Sequence, residues 1–143
     1  MTNQTAVRFV YPQTLIREYE HWLVLLREPQ ATLGSLVLCA KSGATEFSGL
    51  PMEAHVEMGT VIGEIEHALK AAFDYDKINY LMLMMVDPDV HFHVLPRYAR
   101  KRDYRDLSFE DACWPGPPDI TAALAFPASL QQGLPPDLRA GLG

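Results

Sequence analysis

The segment Asp87-Pro-Asp-Val-His-Phe-His-Val-Leu-Pro-Arg-Tyr98 holds the residues best suited to chemistry. Side chains of an extended strand alternate between faces, so Asp89, His91 and His93 share one side and Val90, Phe92 and Val94 the other. An imidazole flanked by a second imidazole and a carboxylate can act near neutral pH as nucleophile or general acid–base catalyst. A phosphate substrate would also need a cation, and Arg97 follows on the same segment. The same row could instead chelate zinc, iron or manganese. Against that, the sequence has no second His-x-His, no His-x-x-x-His and no Cys pair. A plain solvated sheet face is the remaining reading.

Elements able to position this row are visible on either side of it. Residues 15–19 and 22–26 read as two strands joined by a tight connection at Glu20–His21. Ser35 to Ala40 reads as a buried strand, after a connecting loop at 29–33. Pro51 suits a first helical position, and Met58, Val61, Ile62, Ile65, Leu69 and Phe73 then mark one apolar helical face. Gly59 and Gly63 weaken that helix unless they allow close packing on the sheet. The uncharged run Ile78 to Val86 predicts a strand buried on both sides, with Met82 to Met85 in the core. Asp87-Pro88 makes a turn into the next strand, Val90 to Leu95. This order, with its short links, predicts an α+β domain on an antiparallel sheet. From Pro115 onward six of the eleven prolines gather, so Trp114 to Pro118 suits neither an ordinary helix nor a central strand, and the tail is expected to wrap the body or cross to another chain.

Composition sets outer limits. The chain has 143 residues, one domain's length, with 48% apolar and 21% charged residues. Twelve Lys and Arg against 18 Asp and Glu give a net charge of −6, which argues against a nucleic-acid polymer as partner. The charge is unevenly placed. Residues 97–105 carry five cations and only Asp103, a basic segment that could steer a small anion. Cys39 and Cys113 alone do not make a disulfide framework, and no secretory signal or membrane span is read, so a cytoplasmic location is expected. His21, His55 and His67 read as surface or turn residues, Asn79 as a partner of backbone, and Trp114 as an anchor for the tail.

His91-Phe-His-Val-Leu-Pro-Arg97 resembles the end of the histidine-triad signature, His-φ-His-φ-His-φ-φ with φ apolar, followed in several members by Pro-Arg. Leu33-Gly34 before an apolar strand, Lys41 after it, the long helix and the strand before the motif come in that family's order, over roughly residues 15–98. The resemblance implies an α+β fold of about five antiparallel strands with one long helix packed on them. It implies a HIT-like domain at 1–108 and a Pro-rich extension at 109–143, packed on the body or on a partner subunit. It further implies a homodimer that binds a nucleotide or similar phosphate compound and needs no cofactor. The expected activity is hydrolysis or nucleotidyl transfer on a phosphoramidate or dinucleoside polyphosphate, through a covalent nucleotidyl-histidine.

On this alignment His91 is the nucleophile, His93 contacts phosphate oxygens and Asp89 completes the catalytic set. Arg97, Asn79, Ser35 and Lys41 are the expected substrate-binding residues. The chain departs from the pattern in four places, one being Ser42 or Gly43 where many members carry another His. Asp89 stands at the first triad His, Ser35 at the His after the Gly, and the 85–90 connection is too short for the family's phosphate loop. An impaired nucleotide-binding sensor is therefore the alternative, and a metal-dependent hydrolase using Asp89, His91 and His93 a more distant one.

Overall fold

The computed structural model describes residues 4–142. A short helix α1 (Gln4–Arg8) precedes strands β1 (Leu15–Glu18), β2 (Trp22–Leu26) and β3 (Leu36–Ala40). Helix α2 (Met52–Phe73), strands β4 (Lys77–Leu81) and β5 (His91–Arg97), a hairpin β6 (Arg102–Tyr104) and β7 (Leu107–Phe109), and helix α3 (Ala128–Leu142) follow. Strands β1 to β5 form one antiparallel sheet in the order β1-β2-β3-β5-β4.

Strand register sorts the side chains onto two faces. Cross-strand partners share a face, and Leu36↔Val94, Leu38↔Phe92 and Val24↔Leu38 carry the apolar row toward the helices. That face joins Trp22, Val24, Leu38 and Val94 to Val61, Ile65, Leu69 and Phe73 of α2 in the main core. Trp22 is fully buried, and its indole N–H donates to the Ala54 carbonyl at 2.8 Å. On the other face His91 is opposite Cys39 and His93 opposite Val37, beside a smaller apolar cluster of Ala6, Leu23, Leu25, Val37 and Cys39. Two imidazoles thus continue an otherwise apolar row.

Helix α2 begins one residue after Pro51, which takes the cap position, and ends on Asp74 in the left-handed region at φ 49°. Gly34 sits at φ +87°, where a Cβ would meet the Phe73 ring at 2.9 Å. Gly59 and Gly63 pack against nothing within 4 Å of where a Cβ would stand, so close packing is not their role.

One expectation fails here. The run 78–86 is not one buried strand. β4 ends at Leu81, lies at the sheet edge and is half-buried. Leu81↔His93 is its last pair with β5, and Met84 then turns the chain at φ 52°. Met85 and Val86 are consequently exposed, at 86% and 74%. The tail also holds a helix. Leu134 and Leu138, one turn apart on α3, are buried in the main core despite Pro135 and Pro136 within the helix. Segment 114–118 stays irregular, as its prolines require. Among the described residues no helix is long and apolar enough to cross a membrane.

Candidate active site

His91 and His93 line a cavity of ≈ 710 Å³, a size that suits a small organic ligand. Four other segments complete its wall. The end of α1 gives Arg8, Phe9 and Val10, and the chain leaving β2 gives Arg27, Glu28 and Pro29. The loop after β4 adds Leu83, Met85, Val86 and Asp87, and the tail adds Ile120 and Thr121. Phe9 covers the histidines, its ring centre 6.1 Å from that of His91 and 5.7 Å from that of His93.

The two imidazoles are held differently although they are only two residues apart. Their ring centres lie 5.3 Å apart, at an interplanar angle of 79°. His91 Nδ1 lies 2.7 Å from the Asp89 carbonyl oxygen. A carbonyl only accepts, so Nδ1 carries the hydrogen, and the lone pair of the neutral ring is on Nε2. His93 Nδ1 instead accepts from Arg27 Nε at 3.2 Å. Burial, then the positive charge of Arg27 and the neighbouring His91, push the His93 pKa down to about 4. His93 is therefore neutral at physiological pH.

The Asp89 carboxylate is turned away from this cavity. Its Oδ2 accepts from the Thr5 backbone N–H at 3.2 Å and the Thr5 hydroxyl at 3.3 Å, while Asp89 N–H donates to Thr5 Oγ1 at 3.1 Å. This reciprocal pair fastens α1, and with it Phe9, over the histidines. Among the described residues no three His, Cys, Asp or Glu side chains are grouped to hold a metal ion, so the row of Asp89, His91 and His93 is not assembled as a chelate.

None of the four residues expected to bind substrate lines the cavity. Arg97 is four residues beyond His93, roughly 13 Å along an extended strand. It is buried in a two-point ion pair with Asp111, with Nε at 2.7 Å from Oδ2 and Nη2 at 3.2 Å from Oδ1. Asn79 accepts from Arg97 Nη1 at 2.8 Å. Ser35 is fully buried and donates to the Thr32 carbonyl at 2.7 Å, closing the turn before β3. Lys41 pairs with Glu18 of β1 at 2.7 Å. The basic segment is likewise engaged elsewhere, with Arg102 on Asp76 and Arg105 on Asp137.

The cations at the cavity are Arg8 and Arg27, which the sequence reading did not single out. Arg8 pairs with Asp87 at 2.8 Å across the mouth. Arg27 is buried, and its Nη1 donates to the Pro29 carbonyl and its Nη2 to the Ile120 carbonyl at 2.6 Å. The one sequence signal for Arg27 is a charge closing the apolar run Trp22 to Leu26.

An antiparallel five-stranded sheet backed by a long helix, with paired strand histidines facing a cavity, defines a class of small α+β ligand-binding domains. The HIT-domain family matches residues 8–100, and the chain belongs to that histidine-triad family. Solved histidine-triad proteins share its fold. That of Sinorhizobium meliloti 1021 is 18% identical with a TM-score of 0.77, covering 99% of this chain and 96% of its own. That of Marinobacter aquaeolei VT8 is 22% identical with a TM-score of 0.75, covering 99% and 97%. That of Bradyrhizobium japonicum is 23% identical with a TM-score of 0.72, covering 90% of each chain. A comparison with curated proteins finds no match.

Proposed function

We propose that the protein is a nucleotide-binding hydrolase or nucleotidyl transferase in which His91 is the nucleophile. The observation that carries this reading is the 2.7 Å contact of His91 Nδ1 with the Asp89 carbonyl, which leaves Nε2 as the nucleophilic nitrogen on a residue that lines the cavity. In the first step Nε2 forms a bond to the α-phosphorus, and the leaving group departs with the bonding pair and takes a proton from water. In the second step water attacks that phosphorus and gives up a proton to solvent, replacing the one taken in the first step, the P–N bond breaks with its electron pair returning to His91 Nε2, and the nucleotide is released. His93 would meet the developing negative charge with an N–H donor.

The fitting substrate class is a nucleoside phosphoramidate, a dinucleoside polyphosphate or a similar phosphate compound, handled in the cytoplasm without a cofactor. A homodimer is part of the proposal, since β4 leaves an unpaired sheet edge with apolar Leu83, Met85 and Val86 just beyond it. Sedimentation as a monomer at micromolar concentration would remove that part. Residues 109–143 are proposed to act as an extension of the 1–108 domain.

The test is turnover of a fluorogenic adenosine phosphoramidate and of a dinucleoside polyphosphate by wild type and His91→Ala. Loss of turnover in the variant is expected, and equal rates would refute the assignment. The apolar loop where phosphate-binding donors would stand favours a second reading, a nucleotide sensor without catalysis. Nucleotide binding by calorimetry with no product after long incubation would select it.

A further inference from the structure

Arg27 is 7% exposed, yet no ion pair among the described residues includes it. Buried guanidinium groups ordinarily take a carboxylate partner, because an unpaired buried charge is costly. Here the acceptors are two backbone carbonyls and one imidazole nitrogen. The carbonyls come from separate places, Pro29 in the adjoining turn and Ile120 in the tail. The tail is tied to the same turn again by Leu124 N–H, which donates to the Gln30 carbonyl at 2.8 Å. Arg27 is thus clamped between the turn and the tail, with Nε aimed at His93.

Arginine has five N–H donors and no acceptor. Its contact with His93 therefore admits one reading, in which Nδ1 of His93 bears the lone pair and Nε2 the hydrogen. His91 has the opposite arrangement, set by the Asp89 carbonyl. We propose that Arg27 is a positioning residue that fixes the His93 proton on Nε2, so that neighbouring rings present one lone pair and one N–H to the same ligand. The tail residue Ile120 holds Arg27 in register for this task. The role of the donor in phosphoryl chemistry rests on the function proposed above, whereas the tautomer does not.

The titratable and charged groups around His93 are Arg27 from the β2 end, His91 on its own strand, and Arg8, Asp87 and Glu28 on the cavity wall. Arg8 and Asp87 neutralise one another. The His93 pKa is lowered chiefly by burial and further by the charge of the adjacent Arg27.

The experiment is NMR of the full chain with ¹⁵N-labelled histidine, from pH 5 to pH 8. Wild-type His93 should show a protonated Nε2 and an unprotonated Nδ1 throughout, and His91 the reverse pattern at neutral pH. In Arg27→Met the His93 ring should exchange between tautomers and titrate closer to the ordinary histidine range. Arg27→Lys should recover part of the wild-type pattern. With adenosine phosphoramidate, Arg27→Met should lower kcat at least about tenfold while KM changes less, as expected when a catalytic imidazole loses its tautomer. A wild-type His93 with its proton on Nδ1 would overturn the proposal, and so would an Arg27→Met protein that keeps the pure Nε2–H form. If Arg27→Met fails to fold, the wild-type spectrum and Arg27→Lys decide the question. The tautomer pattern without turnover in wild type would uphold Arg27 and refute the catalytic reading.

Discussion

His91 Nδ1 hydrogen-bonds the Asp89 backbone carbonyl at 2.7 Å, while the Asp89 carboxylate serves Thr5. One residue therefore contributes to the site through its main chain and to the fold through its side chain.

Asp89→Ala retains that carbonyl. The variant should keep turnover within about threefold of wild type while losing roughly 1–3 kcal/mol of stability with the Thr5 bonds, read by chemical denaturation. A collapse of kcat at full stability would instead make the carboxylate a catalytic group.

Stability should decline on acidification below pH 6.5. His93 has a folded pKa of about 4 and an unfolded value near 6.5, so between these the unfolded chain binds more protons. The contribution is fully present above pH 6.5 and is lost as pH falls through about 4, on the order of 3 kcal/mol. His93→Gln should flatten this part of the curve when unfolding is followed by circular dichroism.

Gly59→Ala and Gly63→Ala should each raise stability, by up to about 1 kcal/mol, because a Cβ there meets open space and the helix gains propensity. Gly34→Ala should do the reverse, since both its positive φ and the Phe73 ring resist a Cβ. Thermal melts of the three variants check the contrast.

Asp111→Ala should destabilise the fold by about 3–5 kcal/mol, leaving Arg97 buried without its partner. Ligand affinity of the remaining folded protein, measured by calorimetry, should be unchanged. A selective loss of affinity would return Arg97 to the binding site.

The sequence shows its sheet faces well, because strand parity is a local property. It separates His91 and His93 from Phe92 and Val94, and the register with β3 preserves that separation. The extent of β4 was not legible in the same way. β4 stops at Leu81 opposite His93, although β5 runs on to His91, and nothing in the uncharged run Ile78 to Val86 records where the pairing ceases. Arg97 illustrates a second limit. Proximity in sequence put it beside the histidines, whereas an extended chain carried it to Asp111, outside the cavity. Arg27 reaches His93 across 66 residues of sequence, and Ile120 reaches Arg27 across 93. Such contacts follow from the closed fold, not from any local pattern. The α3 helix was hidden by Pro135 and Pro136, although Leu134 and Leu138 keep the one-turn spacing that buries them.

The central claim is that His91 Nε2 becomes covalently bound to phosphorus during turnover. Rapid-quench mass spectrometry of the protein mixed with adenosine phosphoramidate tests it directly. One added nucleotidyl group, mapped to His91, should form and decay at the rate of turnover and be absent from His91→Ala. Product formation with no adduct at any quench time, or an adduct on another residue, would contradict it.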